Sequence, residues 1–285
     1  MKKKTWAVLC AIALTGCLIS GGYILHYRQN QKHAEELYEE AKKTAEQSEK
    51  TEKTEKTEKT EKTEKTEKTE KETTPTPVEA TETPVPTPTE VPVDIPIDFA
   101  SLQKENEDIY AWIKIDGTNI DYPVVQSSTD DTFYIHRGID KEDLYAGAIY
   151  TEMQNAKDFS DPNTVLYGHN MKDGSMFATL HNFRDRDFFD QHREILIYTP
   201  KHILHYTVFA AYTYDDRHIL NSFDFSDKKV FQNYLDEIYN IRSMDAYILD
   251  KPKVTAEDKI ITLSTCMGSN ASARYLVQGV LTETE

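Results

Sequence analysis

Ile260-Ile261-Thr262-Leu263-Ser264-Thr265-Cys266, with Arg274-Tyr275-Leu276-Val277 shortly after, sets the reading of the whole chain. The first run is apolar and β-branched up to a cysteine, so it reads as a buried strand that delivers Cys266 at its end. Met267 to Ala273 is small and polar and reads as a loop. Arg274 then opens a second strand, Tyr275 to Leu281. Two neighbouring strands would bring a thiol and a guanidinium together near one end of a sheet. The thiolate is the reactive form of cysteine, and nearby positive charge favours it. A free cysteine is also a common core residue, so the remainder of the chain decides between the two.

Composition divides the chain at about residue 96. Residues 1–96 hold a basic start, an apolar run, a charged repeat and a Pro/Thr tract, none of which can build a core. Residues 97–285 carry aromatic and aliphatic residues throughout and suffice for one domain with a sizeable core. The formal charge is −16, and the globular part, with 18 Lys+Arg against 31 Asp+Glu, accounts for −13 of it. That balance excludes a nucleic-acid binder, which needs basic surface to meet phosphates. Cys10 and Cys17 lie in the N-terminal apolar run, so Cys266 has no disulfide partner within the domain. An unpaired thiol outside the cytoplasm is exposed to oxidation, and nucleophilic chemistry is a good reason to keep one.

Lys2, Lys3 and Lys4 precede an apolar stretch, residues 6–27, of a length that spans a bilayer. The lysines favour a cytoplasmic N-terminus (residues 1–5) with the rest outside. The expectation is a retained signal anchor. A cleaved signal peptide, or lipidation of Cys17 in Leu14-Thr15-Gly16-Cys17, is the alternative. Residues 28–96 read as a disordered spacer. They comprise a helix-prone polar segment, a Thr-Glu-Lys triplet repeat from Thr51 to Lys71 with no apolar face, and an extended Pro/Thr stalk.

Within the domain, Asp98 is suited to cap a short helix. Ala111–Ile115, Asp116-Gly117 and Thr118–Tyr122 read as a hairpin. Further strands are expected at Gly147–Thr151, Thr164–Tyr167, Glu194–Tyr198, Ile203–Tyr214, Lys259–Ser264 and Tyr275–Leu281. Helices are expected at Ser175–Asn182 and Asp227–Asn240, the latter with Val230, Phe231, Tyr234, Leu235 and Ile238 on one stripe. Many short strands and few helices make the fold mainly β, a closed or nearly closed barrel.

Of nine histidines, His169 stands out. It follows the apolar strand Thr164-Val165-Leu166-Tyr167 and sits beside Gly168, which lets the backbone turn and a ligand approach. His136, His181, His192, His202, His205 and His218 show no partner spacing. No Cys/His pair has finger-like spacing, so no metal site and no cofactor is expected.

Tyr167-Gly168-His169-Asn170-Met171, Thr262-Leu263-Ser264-Thr265-Cys266 and Arg274 resemble, in order, the signature segments of sortases, the cysteine transpeptidases of Gram-positive surfaces. Trp112 to Gln126 resembles that family's first strands. The Leu-Ser-Thr-Cys form, the leading helix and the long helix before the cysteine strand resemble class B in particular. The resemblance covers roughly residues 98–285. It implies an eight-stranded barrel with an N-terminal helix and a long helix ahead of the cysteine strand, and it gathers His169, Cys266 and Arg274 at one groove. Ser264, Thr265 and Asn170 are candidate substrate-binding residues.

The implied reaction cleaves a C-terminal sorting motif of a surface protein after Thr, holds a Cys thioester and passes the acyl group to an amine of a peptidoglycan precursor. Partners would then be sorting-motif proteins, that amine and, through the N-terminal segment, the cell membrane, with the domain facing the wall. Rival readings are another Cys/His peptidase or wall transpeptidase, a pilus-assembling sortase, and a non-enzymatic stalked adhesin.

Overall fold

The structure is a computed structural model. It describes residues 2–62 and 93–285, apart from Pro252, Ser269 and Ala271, with the side chains of the first helix described from residue 14 to residue 46. The chain opens with α1 (Lys2–Lys62) and α2 (Phe99–Glu105), then β1 (Ile109–Lys114), β2 (Asp121–Val125), β3 (Ile149–Tyr150) and β4 (Asn163–Tyr167). After α3 (Arg186–Gln191) come β5 (Glu194–Tyr198), β6 (Ile203–Asp215), α4 (Ile219–Ser222), α5 (Lys228–Tyr239), β7 (Tyr247–Ile248), β8 (Ile260–Cys266) and β9 (Ala273–Thr284). Eight strands run β5-β1-β2-β3-β4-β8-β9-β6, and β6 returns to pair with β5, closing the ring expected from the sequence. The two-residue β7 adds to β6 beyond β5. Closure leaves no open edge between β5 and β6.

The ring is mixed. β2 pairs with β3, and β4 with β8, in parallel, while the other pairs are antiparallel. β8 is buried on both faces, which explains its continuous apolar run. Ile261 and Leu263 pack into the larger core with Trp112, Ile197 and Tyr206. Ile260 packs with α5, whose Phe231, Tyr234, Leu235 and Ile238 are buried there. Four of the five stripe residues expected are buried, Val230 being only half-buried, and Asp227 caps the helix by accepting from Lys229 N and Val230 N. Asp98 likewise caps α2, accepting from Ser101 N at 2.9 Å.

Local boundaries differ from expectation in places. The Asp116-Gly117 turn is not a two-residue hairpin, because β1 ends at Lys114 and pairs with Asp121. Ile115 N instead donates to Ile120 O at 3.0 Å, and Gly117 adopts φ +79° within the wider loop. The helix expected at Ser175–Asn182 is a 3-10 helix, Ala178–Arg184.

The larger correction concerns the spacer expected from residue 28. Residues 28–46 belong to α1 and lie against the barrel. Tyr38, Ala41 and Ala45 are buried in its core, at 5 %, 1 % and 1 % exposure. Tyr38 OH donates to Gly147 O at 2.6 Å, and its ring meets Tyr122 edge-on at 5.3 Å. Asp98 N donates to Ala45 O at 3.0 Å, so α1 is stitched to the start of α2. The repeat is helical up to Lys62, and its remainder, with the Pro/Thr tract as far as residue 92, lies outside the described residues. Among the described residues no helix is long and apolar enough to cross a membrane, so the span expected at residues 6–27 is not found there. Residues 6–13 of it lie outside those whose side chains are described.

Because Tyr38 fills core space and satisfies a carbonyl, Tyr38→Ala should destabilise the full chain by about 3 kcal/mol. Urea unfolding followed by tryptophan fluorescence measures this, and an unchanged midpoint would show α1 to be loosely attached.

Candidate active site

Register brings the sequence-predicted residues together. β4 and β8 run parallel with Asn163 opposite Ile260 and Tyr167 opposite Ser264. Carrying that offset two residues beyond β4 sets His169 beside Cys266. β8 and β9 run antiparallel with Cys266 opposite Arg274. Three adjacent strand ends thus supply an imidazole, a thiol and a guanidinium. All three side chains line one open groove of about 380 Å³. A larger cleft of about 700 Å³ runs between α1 and the β1–β2 loop and contains none of them.

The strand ends are tied to one another. Gly168 N donates to Ser264 O at 3.2 Å, continuing the ladder. Thr265 Oγ1 donates to Gly168 O at 2.8 Å, and Asn170 Nδ2 to Cys266 O at 2.9 Å. His181 Nε2 lies 3.1 Å from the same Cys266 carbonyl, and its ring stacks on Tyr275 at 5.0 Å. Ser264 and Thr265 line the groove and are almost fully buried. Asn170 is not among the groove-lining residues; its amide serves the Cys266 backbone. Cys266 is the exposed residue at the end of an otherwise buried strand. Arg274 Nη1 donates to Ala273 O at 3.1 Å.

His169 is oriented by the 3-10 turn Phe133–Ile135. Its Nε2 lies 2.7 Å from Ile135 O. A carbonyl can only accept, so Nε2 carries the hydrogen, and Nδ1 is the atom that gains and loses a proton. Burial depresses the His169 pKa below the ordinary histidine value; the Ile135 bond opposes this and neighbouring His136 adds to it.

A further part of the groove was not legible as a site. Glu152 is 8 % exposed, and its Oε1 lies 2.7 Å from His218 Nε2. Asn221 N donates to His218 Nδ1 at 3.2 Å, so Nε2 carries the hydrogen and donates to the carboxylate. Burial raises the Glu152 carboxyl above the usual range, and His218 opposes that rise. Glu152 Oε2 and the hydroxyls of Tyr167 and Tyr214 are buried without partners among the described residues, and all three side chains border the groove. Glu152 and His218 are 66 positions apart, so no spacing could have paired them. Among the described residues no group of His, Cys, Asp and Glu could hold a metal ion.

Closed barrel, thiol, imidazole and guanidinium together fit a cysteine acyl-transfer enzyme. Residues 113–282 match the sortase domain family model, and the chain belongs to the sortase family, whose members are cysteine transpeptidases. Its relatives are of class B. The sortase B of Listeria monocytogenes is 35 % identical over 187 residues, covering 65 % of this chain and 74 % of that protein. The sortase B of Staphylococcus aureus is 34 % identical over 170 residues, covering 59 % and 67 %. A structure of Bacillus anthracis sortase B in complex with AAEK1 superposes with a TM-score of 0.59 at 36 % identity, covering 69 % of this chain and 89 % of that one.

Gly168 is where the site tolerates no side chain. A Cβ there would lie 2.5 Å from Ile149 Cδ1 and 2.7 Å from Phe177. Gly168→Ala should therefore cost about 1–3 kcal/mol and displace the chain that carries His169. The expected outcome is a lowered melting temperature together with slower turnover, and wild-type values of both would show that the neighbours yield freely.

Proposed function

We propose that the protein cleaves a sorting motif near the C-terminus of surface proteins after Thr and transfers the acyl group to an amine of a cell-wall precursor. The observation that carries this is the shared register of β4, β8 and β9, with His169, Cys266 and Arg274 on one groove. A solved sortase B–substrate complex from Staphylococcus aureus, 32 % identical with a TM-score of 0.56, supports a peptide as occupant of the groove.

The chemistry then follows from the side chains. The Cys266 thiolate attacks the scissile carbonyl carbon and forms a C–S bond. Charge develops on the carbonyl oxygen, where the Arg274 guanidinium donates hydrogen bonds. The C–N bond breaks as protonated His169 gives its Nδ1 proton to the leaving amine. An incoming amine next attacks the thioester, returns a proton to Nδ1 and expels the thiolate. Water as acceptor gives hydrolysis instead. Ser264 and Thr265 border the peptide path.

Thiolate and imidazolium must coexist. A cysteine ordinarily titrates near about 8.5 and a histidine near about 6.5. Depression of the His169 pKa makes its imidazolium scarcer at neutral pH, so a minority of molecules carries the proton the leaving amine needs. Turnover should be slow, with a bell-shaped pH profile whose acidic limb lies below the ordinary histidine value. Cys266→Ala should abolish cleavage and thioester, and His169→Ala should abolish turnover. Arg274→Lys should be nearly as damaging as Arg274→Ala, because an ammonium lacks the planar fork. Mass spectrometry of a library of candidate sorting peptides, with and without an added amine, reads all four. Thioester surviving in Cys266→Ala, or full turnover by Arg274→Ala, would overturn these roles.

The family acts outside the cytoplasm. Single-pass anchoring with a cytoplasmic N-terminus rests on Lys2–Lys4 and the apolar run after them, together with the exposed Leu14, Leu18, Ile19 and Leu25 of α1. Alkaline carbonate extraction of membranes tests it, and release of the full chain would exclude it.

A further inference from the structure

Tyr145 is a large aromatic side chain left 56 % exposed, yet it is held in place. Its ring lies nearly parallel to that of His169, at 6.2 Å and 13°, and to that of His136, at 6.5 Å and 15°. The two imidazoles are 5.4 Å apart at 17°. Three nearly parallel rings therefore stand together where the chain leaves β4.

The restraint on Tyr145 comes from α1. Asn30 Oδ1 accepts from Tyr145 N at 2.8 Å, and Tyr27 meets the Tyr145 ring edge-on at 6.0 Å. Further along the helix, His33 Nε2 lies 2.9 Å from Asp140 Oδ2. Tyr38 OH donates to Gly147 O, and Ala148 N donates in turn to Tyr134 O at 3.0 Å. Tyr134 precedes Ile135, whose carbonyl accepts from His169. Gly147 has φ +59°, and a Cβ there would lie 2.3 Å from that same Ile135 oxygen. The helix thus braces both the loop beside His169 and the turn that orients it.

We infer that Tyr145, fixed from α1 through Asn30, is a positioning residue for His169. It covers one face of the imidazole, keeps Nε2 on the Ile135 carbonyl and so leaves Nδ1 as the proton carrier. The inference rests on the reading of His169 given above. The titratable and charged groups around His169 are His136 and Tyr145 from the loop and Cys266 and Arg274 from β8 and β9. Tyr150, Glu152, Tyr167, Tyr214, Asp216, Arg217 and His218 line the same groove, and Tyr27 meets Tyr145 edge-on. Removing the phenol ring opens the imidazole to water. Desolvation is the main cause of its depressed pKa, so that pKa should rise.

The test uses the full chain and four variants: Tyr145→Ala, Tyr145→Phe, Asn30→Ala and His169→Ala. Long-range proton–nitrogen NMR reads the His169 tautomer and titration without any substrate. Cleavage of the peptide that the wild type selects from the library reads kcat and KM against pH. Tyr145→Ala should lower kcat about tenfold with little change in KM, because lost orientation of Nδ1 outweighs the larger imidazolium fraction, and it should shift the acidic limb upward and mix the two tautomers. Tyr145→Phe should restore most of the loss, because the ring and not the hydroxyl is invoked. Asn30→Ala should shift the same readouts in the same direction by less, and it carries the test if Tyr145→Ala fails to fold. A wild-type titration and kcat in Tyr145→Ala, or equal damage in Tyr145→Phe, overturns the inference. Full turnover by His169→Ala overturns instead the reading beneath it.

Discussion

The parallel pairing of β4 with β8 is the contact on which the site depends, and a buried polar network fixes its register. Thr262 Oγ1 donates to Asn163 Oδ1 at 2.8 Å across the two strands. Gln278 Nε2 donates to that same threonine and to Tyr234 OH, and Tyr212 OH donates to Gln278 Oε1. Asn155 Nδ2 donates to Asn163 O, and Asn155 Oδ1 accepts from Val165 N. A slip of one residue would turn Thr262 and Gln278 to the wrong faces and strand these groups in an apolar core. The same slip would part His169 from Cys266. The alignment of His169 with Cys266 is therefore enforced by residues that never touch the groove.

The groove is lined both by strand residues and by loop residues. On the β8 side, backbone hydrogen bonds hold the thiol and its neighbours at strand ends. Glu152, a buried carboxylate, and His218, the N-cap of α4, reach the groove from loops, while Tyr167 and Tyr214 border it from β4 and β6, with oxygens unpartnered among the described residues. Strand ends position the thiol, the imidazole and the guanidinium. Loops are the part of a fold most open to change, and they supply Glu152, Arg217 and His218 to the groove.

How much of this the sequence disclosed follows from the range of the interactions. β8 and α5 were legible because each writes its burial in a local pattern, a β-branched run and a stripe at helical spacing. His169 was legible because a strand, a glycine and a histidine are consecutive. The docking of α1 was not, although Ala34, Tyr38, Ala41 and Ala45 recur at spacings of four, three and four. Three of those four are alanines, which add little hydrophobic weight, and the glutamates and lysines between them dominate the segment. Tyr145, His136 and the Glu152–His218 pair depend on loop paths that no local pattern encodes. The Asp-Gly turn was misjudged because Ile115 and Ile120 are buried and extend the loop beyond two residues.

The hydrogen bond from Asp98 to Ala45 has a consequence for the Thr-Glu-Lys repeat between them. Both ends of the segment that contains the repeat are pinned at one spot on the barrel wall, so the segment is a detour rather than a tether. Adding or deleting triplets leaves the separation between the apolar N-terminal run and the catalytic groove untouched. That separation is set by the continuous α1, which rises about 1.5 Å per residue, or about 20 Å from Leu14 to Tyr27. Lengthening such a closed loop costs little, about 0.6 kcal/mol for each doubling of a flexible one. Repeat number is thereby released from any duty as a ruler.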